Sequence, residues 1–313
     1  MWYNKVVIPD PSISNNKEGP EMMLNTKTSR NIYFAFLTVF LTAALFTGCG
    51  KNESDHHASE KASENDAASG EMTVILPGNV TLPMVKIEAG MFEMSAKDGE
   101  NTDDEVPHRA MLTRDFYLGK TEVTLAQWKA VMETNPSEYK DDDLPVEYVS
   151  WNDAMEFCGK LNNMGKAPNG WKFTLPTETQ WEYAACGGNR SKGYKYSGSD
   201  NVDVVAWYED NAGWAVRGDV MSPVGRKKPN ELGLYDMSGN VYEWCLDDWQ
   251  DKSDMLTPEF TRGNDSGGSE RAIRGGSWNN PARTCRSAER NGGEPDDRNG
   301  DFGFRLALVP ESY

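Results

Sequence analysis

Sulfur and imidazole are the scarce reactive groups in this chain, which holds five cysteines and three histidines in 313 residues. His56 and His57 lie in a polar run and read as part of a solvated tether rather than a metal site. His108, the one remaining imidazole, reads as a loop or turn residue. A single imidazole builds neither a zinc site nor a non-haem-iron site of the usual kind. Cys158 and Cys186 fall on or at the end of apolar helix faces, and Cys245 follows an apolar landmark, so buried thiols are expected there. Cys285 is the thiol to watch for reactivity. These four cysteines allow three disulfide pairings, and the sequence does not choose among them.

The remaining cysteine, Cys49, belongs to the N-terminal region. Asn31 to Gly48 is an apolar run that follows Lys27 and Arg30 and ends in small residues. That is the pattern of an export signal over residues 1–48, with translation starting at Met1 or internally at Met22 or Met23. Leu45-Phe46-Thr47-Gly48-Cys49 is similar to a lipobox, in which Cys49 is lipidated after cleavage. The alternative is an uncleaved single-span anchor. Either one tethers the chain outside the cytoplasm, lipid-anchored to a bacterial cell envelope in the first case. Residues 49–71 then read as the lipidated cysteine and a disordered tether, because the segment is polar and lacks aromatics. The net charge of -17 argues against nucleic acid and against an anionic membrane surface as partners.

From Met72 the pattern becomes globular. Met84-Val85-Lys86-Ile87 and Arg109 to Leu118 read as strands. Three capping boxes start helices: Thr124 with Gln127, Ser150 with Asp153, and Thr177 with Gln180, the last helix closed by Gly187. Late strands are expected at Arg271–Arg274 and over Phe302–Leu308, whose even positions are all apolar. Nine of the ten tryptophans follow residue 120, enough aromatic area to hold a loop-rich core. The fold class is α+β, with little regular secondary structure and no internal repeat.

Six motifs then occur in order. They are Tyr117–Thr124, Leu144–Trp151, Leu175–Ala185, Gly233–Trp244, Arg274-Gly275-Gly276-Ser277-Trp278 and Gly303-Phe304-Arg305. On these the chain resembles the formylglycine-generating-enzyme (sulfatase-modifying factor) family. The resemblance implies a C-type-lectin-like fold over residues 72–313. In the active oxidases it also implies copper held by two thiolates spaced C-x4-C, a soft donor pair suited to Cu(I). Here Asn280 stands at the first position. Cys285 stands at the second only if no gap is allowed. At most one thiolate is left, so neither copper nor iron is expected.

The resemblance further implies structural calcium, with carboxylates from Asp236 and Glu243 and backbone carbonyls from Gly239 and Val241. Oxygen ligands of this kind suit Ca²⁺. The competing reading is that these groups cap turns. A second family site would begin at Asn211 and Ala212.

Between Trp278 and Phe302 the chain is rich in turn-forming and polar residues. This placement resembles the variable proteins of diversity-generating retroelements, some of which are lipoproteins; the alternative is an ordinary solvated acidic loop. The first functional expectation is a non-catalytic surface lipoprotein that binds an external protein or glycan. Its contacts would come from Trp278, Asn280, Thr284, Glu289, Asn291, Gly292, Glu294, Asp297, Asn299 and Asp301. Trp278 would anchor and the amides and carboxylates would adapt. The competing expectation is a formylglycine-generating-type oxidase or maturation factor acting on exported proteins, with Cys285 as its reactive group. A third is a structural component of an envelope complex.

Overall fold

A computed structural model describes residues 70–95, 105, 107–212, 221–249 and 269–311. The chain divides into Met1–Ala58 and Ser59–Tyr313, and every described residue belongs to the second unit. The export signal, Cys49 and nearly all of the tether lie outside the described residues.

One sheet has five antiparallel strands in the order β1-β2-β5-β11-β6. They are β1 (Glu71–Ile75), β2 (Thr81–Ile87), β5 (Phe116–Gly119), β11 (Ala307–Pro310) and β6 (Trp171–Thr174). Glu71 already pairs with Val85, so the domain starts one residue before the expected Met72. The last strand in sequence lies inside this sheet, between β5 and β6. A second sheet runs β10-β7-β8-β9, from β10 (Phe302–Gly303), β7 (Tyr242–Asp248), β8 (Arg271–Arg274) and β9 (Arg290–Gly293). A hairpin of β3 (Gly90–Met94) and β4 (His108–Leu112) stands apart.

Two expectations are corrected here. His108 is not in a turn; it opens β4 opposite Met94. Phe302–Leu308 is not one strand. Residues 302–303 pair with β7 in one sheet, and 307–310 pair with β5 and β6 in the other. The chain crosses between sheets at Phe304-Arg305-Leu306, all three buried. Alternation marks a strand with one face covered, and it cannot register a segment covered all round.

The helices begin where their caps require. In α1 (Leu125–Met132), α2 (Trp151–Asn163) and α3 (Glu178–Ala185) the capping boxes of Thr124, Ser150 and Thr177 are all formed. Each hydroxyl accepts a backbone N–H that the first turn would otherwise leave open. After α3, Gly187 takes φ 91° and turns the chain away. A fourth helix, α4 (Val202–Val205), is one turn long.

Between the sheets and α1 and α2 lies an aromatic core. Trp128 stacks on Phe157 at 5.6 Å, and Phe304 meets both edge-on. A second core carries Trp181, Phe116, Leu118 and Met237. Trp151, Trp181 and Trp244 each donate their indole N–H, to Cys245 O, Glu243 Oε2 and Val149 O, so none buries an unpaired donor.

Candidate functional site

The Gly275-Gly276-Ser277-Trp278 turn leaves β8 and carries the first expected site residues. Gly276 has φ 71°, and a Cβ there would sit 2.6 Å from Thr284 O. Only glycine lets these two backbone segments approach so closely. Ser277 Oγ lies 2.6 Å from the Asn280 amide and donates to Asp301 Oδ2 at 2.8 Å. Asn280 O accepts from Glu209 N at 3.0 Å. The position that would hold the first thiolate is thus an amide engaged with its neighbours.

Cys285 ends a 3-10 turn, Ala282–Cys285, and is fully buried. It packs with Tyr196, Val205, Ala206 and Tyr208. Burial pushes its thiol up to about 12, so it stays protonated at neutral pH and is a poor nucleophile or ligand. Burial likewise raises the thiols of Cys158, Cys186 and Cys245. All four described cysteines are free of disulfides.

Eight of the ten expected contact residues fall into two groups at opposite edges of the second sheet. Asn291 and Gly292 are on the β9 edge, where Gly292 lies against the Trp249 ring. Glu294 and Asp297 follow there, exposed and bonded to each other. Trp278, Asn280, Asn299 and Asp301 gather at the β10 edge. Thr284 and Glu289 belong to neither exposed group. Thr284 Oγ1 turns back to Pro281 O at 2.8 Å. Glu289 accepts from Arg286 at 2.5 Å, and Arg286 also grips the buried Glu105 through both its terminal nitrogens. Burial, and then a hydrogen bond shared with Glu105, raises Glu289 to about 7. Asp301 is 7% exposed, a floor residue rather than a rim residue.

Of the expected calcium ligands, Asp236 and Glu243 are both buried, and Asp236 feels the charge of Glu243. Glu243 is fully buried, and its oxygens accept three hydrogen bonds. Arg305 supplies two at 2.6 Å, and Trp181 Nε1 supplies one at 2.7 Å. Asp236 Oδ2 accepts from Gly225 N at 2.6 Å, while Oδ1 is buried without a partner. Burial first raises Asp236, to about 6, and raises Glu122 beside it well above the usual carboxylate range. Among the described residues no three His, Cys, Asp or Glu side chains converge as a metal-holding group. The donor set fits calcium incompletely, because Glu243 would have to give up Arg305 to coordinate it. Asn211 spends its amide on Tyr208 N and Ala206 O.

The model of the sulfatase-modifying factor enzyme 1-like domain matches residues 76–309. The chain belongs to this family. Treponema denticola variable protein 1, a solved structure, is similar to the chain at 32% identity with a TM-score of 0.68, covering 77% of this chain and 99% of that one. The family fold is therefore the C-type-lectin-like fold of the formylglycine-generating type. The chain is 34% identical over 264 residues to the chaperone protein LppX of Paenibacillus barcinonensis, covering 70% of this chain and 87% of that one. It is 28% identical over 235 residues to the inactive C-alpha-formylglycine-generating enzyme 2 of Bos taurus, covering 71% and 69%.

Two clusters were missed by reading the sequence. One is a buried ion network in this family member: Arg274 donates to Glu178 and Glu182, and Arg290 bonds both oxygens of Glu178. The other is the packing of Trp278 with Tyr139 on Leu144, Met221 and Val241. The second contains a signal that was on the page, since Leu144–Trp151 was already a landmark.

Proposed function

We propose that the chain is an exported, envelope-tethered binding protein without catalytic chemistry, whose lectin-like domain contacts an external ligand through the Trp278 end of its C-terminal loop surface. The observation that carries this reading is the pair of positions 280 and 285. One is an amide bonded to its neighbours, and the other is a buried, protonated thiol. A soft metal finds no thiolate pair there. The tether rests on the apolar Asn31–Gly48 run and Cys49. Among the described residues no helix is long and apolar enough to cross a membrane.

The ligand is a protein or a glycan. The likeness to a protein named a chaperone favours a polypeptide, and the likeness to a variable protein supports a loop surface that tolerates change. A rigid frame on both sides is what permits such a loop to vary. A maturation or chaperone role toward exported proteins is the second reading, favoured by the same relative, and it requires no redox chemistry.

The test exchanges residues 278–301 of the full chain for the matching loop of Treponema denticola variable protein 1. With the buried Cys285, Arg286 and Arg290 retained, the exchange is expected to change ligand preference while thermal stability is kept. Unchanged preference would remove this surface from the function. Oxygen uptake with a cysteine-containing peptide is expected to be nil, and stoichiometric copper bound through Cys285 would restore the oxidase reading.

A further inference from the structure

Asn-Gly occurs three times in the chain, at 169–170, 291–292 and 299–300, and the last two share the tripeptide Arg-Asn-Gly. All three asparagines are exposed. Glycine carries no Cβ, so nothing on it shields its own amide nitrogen from the preceding carboxamide. At two of the three pairs the reacting groups are already together. Gly300 N donates to Asn299 Oδ1, and Gly292 N donates to Asn291 Oδ1, each at 2.8 Å. At Asn169 the chain turns differently. Trp171 N reaches back to Pro168 O at 3.0 Å and Gly170 has φ 79°. Among the described residues no bond joins the Gly170 N–H to the Asn169 side chain.

The fold separates the two Arg-Asn-Gly copies. Asn291 and Gly292 lie inside β9, in register with Ile273 and Ala272 of β8. The extended backbone of a paired strand cannot fold onto its own side chain without leaving the ladder. Asn299 lies outside any strand, in the turn before β10. Its carboxamide makes no other hydrogen bond among the described residues, so it can rotate until its carbon faces the Gly300 nitrogen. The main-chain oxygen of Asn299 accepts from Tyr148 N at 3.0 Å and from Phe302 N at 3.1 Å. Tyr148 is held in the left-handed region at φ 56°, a conformation a bulky residue keeps only where its surroundings hold it. Gly300 lies flat against the Tyr148 ring, where a Cβ would come within 3.3 Å.

We infer that Asn299-Gly300 is a self-modification site, where the chain converts its own amide to an acid and lengthens its backbone beside Tyr148. The Gly300 nitrogen loses its proton to solvent base and bonds to Asn299 Cγ. The bond from Cγ to Nδ2 breaks, and that nitrogen takes a proton from solvent and leaves as ammonia. Water then opens the five-membered imide at either carbonyl carbon, its hydroxyl adding to carbon and its proton returning to nitrogen. One opening gives aspartate and the other isoaspartate, with no change of oxidation state. Isoaspartate routes the main chain through the former side chain, one methylene longer, and leaves the old main-chain carbonyl as a carboxylate off the chain. The acceptor that ties Tyr148 N and Phe302 N to this turn is then out of place. The step needs only water, so it stands apart from the binding reading above.

The experiment holds the full chain in mildly alkaline buffer, folded and in concentrated urea, and follows each Asn-Gly peptide by mass spectrometry and by enzymatic methylation of isoaspartate. In the folded chain, acid at 299 is expected to accumulate several-fold faster than at 169 or 291. In urea the three are expected to react at similar rates, because the contacts that set them apart are gone. Isoaspartate at 299 is expected to lower the melting temperature of the folded sample, whereas Asn299→Asp, with the same charge on an ordinary backbone, melts with the parent. Asn299→Gln, whose longer side chain would have to close a larger ring, is expected to show neither the product nor the drop. Equal rates at 169 and 299 in the folded chain, or a lead for 299 that persists in urea, overturns the inference. Isoaspartate at 299 that leaves melting unchanged overturns the tie to Tyr148.

Discussion

Arg305 is a heavily committed side chain. It spans Glu243, Gly119 O and Tyr235 O with no exposure to solvent. Removing one partner of a buried pair strands the other charge. Arg305→Met is therefore expected to destabilise the fold by about 3–5 kcal/mol in denaturant titrations, and Arg305→Lys to rescue little, because a point charge cannot serve two oxygens and two carbonyls at once. A milder residue-scale effect is expected at Glu289. Its folded value of about 7 stands above the unfolded 4.5 because burial disfavours the anion. The associated stability is complete below pH 4.5 and is lost as pH rises through 7. Acidifying from pH 8 to 5 should then raise the melting temperature, with Glu182 and Asp236 contributing in the same sense. Glu289→Gln should flatten that slope, and an unchanged slope in pH-dependent melting would refute the assignment.

At the scale of elements, the caps and turns decide where chain segments start and how closely they approach. Thr177→Ala removes the hydroxyl that accepts Gln180 N and is expected to cost about 1 kcal/mol. Gly276→Ala is expected to cost more. The left-handed backbone alone is worth about 1–2 kcal/mol, and the new methyl would strike the backbone at Thr284. Chemical denaturation of both variants checks the order. These features explain what was legible in the sequence. Capping boxes are local, three or four residues long, so Thr124, Ser150 and Thr177 announced themselves. His108 did not, because its strand exists only through pairing with β3. The β10–β11 crossover was hidden for a related reason: Phe304, Arg305 and Leu306 are covered on all sides by elements distant in sequence. In the candidate site, Trp278 was legible as an exposed anchor within a polar run. Tyr139 and Tyr148 were not, since they reach it from a segment some 130 residues earlier. Glu289 read as a surface acid because its neighbour Arg286 is drawn inside by Glu105, which lies far earlier in the chain.

Taken as a whole molecule, the domain separates a stiff frame from a changeable end. The frame is the two sheets, the aromatic core and the buried ion network of Glu178, Glu182, Arg274 and Arg290. The changeable part is the exposed turns on either side of β9, whose own Arg290 belongs to the frame. Substituting Asn291, Glu294, Asp297 and Asn299 together should therefore leave the melting temperature within about 2 °C, since surface changes of this kind stay near ±0.5 kcal/mol each. Scanning calorimetry of the quadruple variant tests this. A large drop would place these side chains in the frame.

The position of β11 carries a consequence for how such a protein is made. Its four residues are the last in sequence among the described strands, and they lie between two strands that come far earlier in the chain. Until β11 is in place, β5 and β6 have no pairing with each other and the five-stranded sheet stays split. A reading-frame slip anywhere in the turns before it would replace Ala307–Pro310 with unrelated residues and leave the gap open. The fold thereby ties this sheet to the reading frame: an in-frame change in the preceding turns leaves β11 able to close it, and a shifted one does not.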